Sequence, residues 1–124
     1  MSTIPVILTI AGSDCSGGAG IQADIKTISA LKGYAASVIT AVTAQNTTGV
    51  QAVYPIPPDI VRAQIISVTD DLQPAAIKIG MVHNAAIVHT IAECLQKYRS
   101  RFVVYDPVMV STSGRKLITE DTVC

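Results

Sequence analysis

The chain has 124 residues, nine of them basic and nine acidic, with 49% hydrophobic and only 4% aromatic residues. This length supports one compact domain, and a net charge of zero argues against a nucleic-acid-binding surface or a strongly acidic partner. No apolar run approaches the ~20 residues of a membrane span, and no basic segment leads into an apolar core at the N-terminus, so a cytoplasmic protein without membrane association is expected.

The first predicted strand is VILTIA, residues 6–11, and it breaks abruptly into the glycine-rich stretch AGSDCSGGAG. An amphipathic helix follows, with Ile21, Ile25, Ile28 and Leu31 on one face and Gly33 as its expected C′ stop. SVITAV (37–42) is a second core strand, and GVQAVYPI (49–56) reads as an extra antiparallel edge or flap outside the main sheet. Pro57, Pro58 and Asp59 open a second helix whose stripe is Val61, Ile65, Val68 and Leu72. AIKIG (76–80) is the third core strand, Val88, Ile91, Leu95 and Tyr98 mark a third helix, and FVVYD (102–106) is the fourth strand. Near-continuous Val/Ile strands alternating with helices predict a doubly wound, three-layer αβα domain with a parallel sheet. A helix start at Thr119, with Glu120 and Asp121 in its first turn, and an uncovered fourth strand make the sequence read as the first part of a longer α/β protein.

Ligands of such sheets bind beyond the carboxyl ends of the strands. Those ends read GSDCSGGAG, TAQNTTG, GMVHN and DPVMVSTSG, each turning polar or glycine-rich where the apolar run stops. The glycine loop lacks the Gly-Lys-Ser/Thr of a P-loop. GAGIQA matches a dinucleotide fingerprint, but Gln45 and Asn46 stand where the ribose-binding acid belongs. A tight turn explains the glycines in part and leaves Asp14 and Asp24 unexplained. The Gln45 amide both donates and accepts, so it suits either the ring-nitrogen and amino edge of an aminopyrimidine or nearby backbone. Met81 offers an adaptable apolar wall. Asp106 suits a phosphate–magnesium centre or the cap of a turn. Lys78 needs a partner, for which Asp106 is one candidate, and His83 and His89 read as surface residues. Cys15, Cys94 and Cys124 lack zinc-like spacing, which fits a reducing compartment; Cys15 is either a reactive thiol or a small loop filler.

Taken together, LTIAGSDCSGGAGIQADIKT, SVITAVTAQNTTGV, IKIGM and DPVMVSTSG resemble the hydroxymethylpyrimidine kinase/hydroxymethylpyrimidine phosphate kinases of bacterial thiamine biosynthesis, of the ribokinase-like superfamily. The resemblance runs along essentially the whole chain. It implies a ribokinase-like αβα fold and two successive phosphorylations of 4-amino-5-hydroxymethyl-2-methylpyrimidine by ATP with Mg²⁺, in a homodimer. It also implies that Gln45 reads the amino edge, that Gly12 and Ala19 line the ring, and that Asp24 lies near the hydroxymethyl end. Met81 and Val108 would close the apolar side, and Asp106 would belong to the Mg-ATP region. The family's Gly-Thr-Gly-Cys anion hole, which carries the catalytic base, and its Asn-x-x-Glu element are not in these residues. The expectation is therefore an N-terminal portion, residues 1–124, of a single kinase domain, carrying the pyrimidine-binding half and inactive alone. Two alternatives accompany it: a pyridoxal/pyridoxine kinase, and a non-catalytic module that holds a small heterocycle.

Overall fold

The computed structural model describes residues 4–107. The expectations for Val108, for the remainder of the fourth strand end, for the helix at Thr119 and for Cys124 lie outside the described residues. Within them the chain runs β1 (Val6–Asp14), α1 (Gly20–Ala30), β2 (Tyr34–Asn46), β3 (Gly49–Pro55), α2 (Pro58–Leu72), β4 (Ala76–Ile79), α3 (Ala85–Lys97) and β5 (Phe102–Tyr105). These form one five-stranded sheet in the order β3-β2-β1-β4-β5. β1 is parallel to β2 and β4, and β4 to β5. The extra strand is indeed an antiparallel edge, but it is hydrogen-bonded into the main sheet through β2, which makes the sheet mixed.

β1 is the point where the winding reverses. The chain steps from β1 through α1 to β2 on one side, then returns through α2 to β4 on the other, the reversal at which doubly wound sheets open a ligand crevice. α1 lies over β1 and β2, while α2 and α3 pack against each other on the other helical layer. Leu8, Ile10, Val38, Ile77 and Ile79 of the sheet meet Val61 and Ile65 of α2 and Ile87, Ile91 and Cys94 of α3 in one continuous core. Burial pushes the Cys94 thiol pKa up, so this cysteine acts as a small apolar residue.

α2 starts at Pro57-Pro58 and buries Val61 and Ile65 as expected, and it ends at Gln73 in the left-handed region. The other helices differ from expectation in two details. Leu31 caps α1 instead of continuing its stripe and is 79% exposed. The left-handed residue after it is Lys32 (φ 67°), and Gly33 comes one position later. The amides of Lys32 and Gly33 donate to the carbonyls of Ser29 (3.0 Å) and Ile28 (2.9 Å), the paired closure of a Schellman motif. In α3 the buried face is Ile87, Thr90, Ile91 and Cys94, so Val88 turns outward. Asn84 sets that phase: its side chain accepts from the Ile87 amide at 3.0 Å and fixes the first turn. β5 is exposed along its length, as the uncovered fourth strand suggested. A cleft of about 400 Å³ beside it, lined in part by Leu95, Tyr98 and Val103, opens at the start of β5, away from the carboxyl ends of the strands.

Candidate functional site

The carboxyl ends of β2, β1, β4 and β5 are neighbours along one edge of the sheet, which puts Gln45, Gly12, Met81 and Asp106 on that edge in this order. Gly12 and Met81 touch: a Cβ on Gly12 would lie 2.9 Å from the Met81 sulfur. Met81 is 6% exposed and packs on Ala41, Val50 and Val53, and its carbonyl accepts from the Thr40 hydroxyl at 2.7 Å. The Met81 side chain therefore forms an apolar wall against Gly12 of β1.

Asp14 organises the glycine loop. One carboxylate oxygen accepts from the Ser16 amide (2.9 Å) and hydroxyl (2.6 Å), and the other from the amides of Gly18 (3.0 Å) and Ala19 (2.8 Å). Burial acts to raise the pKa of this carboxyl, but the hydrogen bonds from Ser16, Ala19 and Gly18 outweigh it and the pKa is lowered. The amides that a glycine loop at a helix N-terminus could offer to a phosphate are thus already filled by the chain's own anion. Gln22, on the first turn of α1, clasps the same strand end: its Oε1 accepts from the Asp14 amide and its Nε2 donates to Ser13 Oγ, both at 2.8 Å. Ala19 is the exposed N-cap of α1.

Gln45 is fixed by two neighbours. The Cys15 thiol lies against its main chain, 3.1 Å from the carbonyl oxygen and 3.3 Å from the amide nitrogen. Its side-chain Oε1 is 2.9 Å from the hydroxyl of Thr43, and its Nε2 has no partner among the described residues. Cys15 therefore ties the glycine loop to the end of β2, a structural use that neither sequence expectation contained.

Asp24 faces the sheet. It accepts from the Thr9 hydroxyl at 2.6 Å and pairs with the Lys78 ammonium at 2.9 Å. The expected Lys78–Asp106 contact is thereby corrected. Thr9 is the register neighbour of Lys78 on β1, and Asp24 sits above both on α1. On the other side Lys78 aligns with Val104, two residues short of Asp106. The side chains of Lys78 and Asp24 are 27% and 19% exposed, enough shielding for the pair to matter and enough water to moderate it. A double-mutant cycle on Lys78→Met and Asp24→Asn, read by urea unfolding, should give a coupling of about 1–2 kcal/mol; strictly additive effects would show that the two charges stabilise nothing together. Asp106 is exposed, with its amide donating to the Ile79 carbonyl at 2.8 Å.

Thr9, Gln22 and Thr43 were not singled out from the sequence. Thr9 and Thr43 lie within strands and Gln22 on a helical first turn, where polar residues commonly serve only the local backbone. Thr9 and Lys78 did carry one usable signal, since both are polar residues within strands that should be buried.

Comparison with known proteins decides the family. A family model described as phosphomethylpyrimidine kinase matches residues 14–124. The chain belongs to the phosphomethylpyrimidine kinase family. It is 55% identical over 116 residues to the hydroxymethylpyrimidine/phosphomethylpyrimidine kinase of Escherichia coli (strain K12), covering 94% of this chain and 44% of that one. The Bacillus subtilis (strain 168) enzyme of the same name is 48% identical, with 94% and 43% covered. Among solved structures, the phosphomethylpyrimidine kinase of Clostridium difficile 630 superposes with a TM-score of 0.88 at 52% identity, over 95% of this chain and 51% of that chain. The pyridoxal kinase of Staphylococcus aureus in complex with AMP-PCP and pyridoxal has a TM-score of 0.78 at 36% identity, over 86% and 40%. The fold is thus that of ribokinase-like kinases, and the chain spans about half the length, or less, of these relatives.

Proposed function

We propose that the chain is the pyrimidine-binding half of a kinase that phosphorylates 4-amino-5-hydroxymethyl-2-methylpyrimidine and then its monophosphate, in thiamine biosynthesis. The observation that carries this reading is the Gln45 amide, pinned at the end of β2 on the same sheet edge as the Gly12–Met81 contact. Its donor and acceptor answer an amino group beside a ring nitrogen, and Gly12, Ala19 and Met81 supply a surface without bulky side chains on one side and an apolar wall on the other. Val108, from beyond the described residues, completes the apolar side on this reading. Asp24 then acts through Lys78 and Thr9, holding α1 near the hydroxymethyl end. Among the described residues no group of three or more His, Cys, Asp or Glu gathers as a metal site. A single strand-end carboxylate such as Asp106 fits magnesium shared with water and nucleotide phosphates. Bound Mg-ATP supplies the phosphoryl group and neutralises charge on it; the base and the anion hole belong, in this proposal, to the part of the relatives that the chain does not match. A homodimer in the cytoplasm is part of the same reading, and the free thiols of Cys15 and Cys94 suit a reducing compartment.

The test is ADP formation by the full-length protein on addition of the hydroxymethylpyrimidine with magnesium and ATP. Gln45→Ala should raise KM for the pyrimidine about tenfold or more, and KM for ATP by less than about twofold. Equal rises in both constants would make the amide a structural group and end the proposal. Likeness to the pyridoxal kinases supports a second reading, in which pyridoxal or pyridoxine is phosphorylated at the same place. Parallel kcat/KM values on the two rings separate them, because preference is a difference between transition states.

A further inference from the structure

The hydroxyl of Thr43 lies between two acceptors: the Ser13 carbonyl oxygen at 2.7 Å and the Gln45 Oε1 at 2.9 Å. A threonine hydroxyl carries one proton and cannot donate fully to both. Thr43 is 5% exposed, so water does little to relieve the conflict. The Ser13 carbonyl has the stronger claim. It sits where the β1–β2 register resumes after the slip between Ala11 and Ser13, and its contact with the hydroxyl is the shorter and better of the two. A half-turn of the Gln45 amide about its last torsion resolves the conflict. Nε2–H then donates to Thr43 Oγ, and Thr43 O–H donates to Ser13. Both contacts remain hydrogen bonds, the one to Gln45 now reversed in direction, with no acceptor facing an acceptor.

We infer that Thr43 is a specificity-determining residue, which fixes the order of donor and acceptor that Gln45 presents to its ligand. In the relay, Oε1 and the second Nε2–H remain for the pocket, in one order only. That order suits an exocyclic amino group followed by an unprotonated ring nitrogen. The deaminated ring, with a 4-oxo group beside a protonated ring nitrogen, presents the reverse order. Taking it would require the amide to turn back, which opposes Oε1 to the Thr43 oxygen or strips Ser13 of its donor. Cys15 prevents escape by main-chain movement, since its thiol holds the Gln45 backbone. The site therefore selects the 4-amino ring by a hydroxyl that need not touch it.

This inference rests on the proposed reading of Gln45 and has its own test. In the full-length kinase, KM for the aminopyrimidine and the inhibition constant of its 4-oxo counterpart are measured for wild type, Thr43→Val, Thr43→Ser and Gln45→Ala. Wild type should favour the amino ring strongly. Thr43→Val frees the amide to turn, so the preference should fall about tenfold, with KM for the amino ring rising and kcat nearly unchanged. Thr43→Ser keeps the hydroxyl and should keep the preference. A merely structural threonine would weaken both rings equally in Thr43→Val and leave the preference intact, which overturns the inference while the reading of Gln45 stands. If Gln45→Ala leaves binding of both rings untouched, the reading of Gln45 and this inference fall together.

Discussion

Gly20→Ala should destabilise the protein by about 3 kcal/mol or more, the largest effect of any single methyl group in the strand-end loop. Gly20 opens α1 at φ +59°, in the left-handed region, and an added Cβ would collide with the carbonyl oxygen of Gly12. The obstacle is backbone at the end of the central strand, and it is pinned from the other side, since Ser13 and Gly20 also form an isolated bridge. Neither partner can yield without moving β1 or α1. Gly12→Ala is the informative contrast. Its Cβ would meet the Met81 sulfur at 2.9 Å, the mobile part of a flexible side chain, and otherwise the Ala41 carbonyl at a comfortable 3.6 Å. That variant should lose less than about 1 kcal/mol of stability yet displace the Met81 thioether, the apolar wall of the proposed ring site, so its cost should appear in KM. Urea midpoints and substrate KM measured on both variants check the pair. A Gly20→Ala protein with a wild-type midpoint would mean that α1 does not sit on β1 as closely as described.

The contrast also shows what the sequence could reveal. Its glycines marked a close approach correctly, but glycine reports only that something is near, not whether it is backbone or ligand. Gly20 is needed because backbone lies against it, whereas what lies against Gly12 is the Met81 side chain. Strand positions were legible because Val and Ile cluster in them, and α2 was legible because Pro57, Pro58 and Asp59 announce its start. The phase of α3 was not, for a physical reason: Ile87 and Val88 are adjacent, so either of two faces could be the apolar one, and the cap at Asn84 decides between them. The end of α1 misled because Gly33 is the natural left-handed residue, while Lys32 takes that conformation under two hydrogen bonds. The partner of Lys78 depended on strand order and register, which no local pattern encodes. Gln45, Gly12 and Met81 could be expected along one edge of the sheet because each lies at or near the carboxyl end of a strand. Thr43, Gln22 and Cys15 could not, because their roles arise only after β1, β2 and α1 have come together.

Asp14→Asn should cost about 2–3 kcal/mol at neutral pH, and the loss should disappear in acid. The side chain is 4% exposed, and all four of its partners are donors. In asparagine one of the two oxygens becomes an NH₂ group, so either Ser16 or the Gly18–Ala19 pair faces a donor. The pH dependence follows from the lowered pKa of this carboxyl. In the unfolded chain it titrates near 3.8, and in the folded protein lower still. Above 3.8 both states hold the charge and the stabilisation is fully present; as pH falls below 3.8 the unfolded state takes up the proton first, and stability drains away until the folded value is passed. The difference in unfolding free energy between wild type and Asp14→Asn should therefore be constant around neutrality and shrink only in that acid window. A difference that persists unchanged well below it would mean that the ionised carboxylate is not what holds the loop. The effect should also reach the proposed ring site at neutral pH. Cys15 lies between Asp14 and Ser16, inside the turn the carboxylate organises, and it is the thiol of Cys15 that pins the main chain of Gln45. Loosening that turn should raise KM for the aminopyrimidine while leaving KM for ATP near its wild-type value, because the loop meets β2 at Gln45 and Asp106 lies at the far end of the same edge.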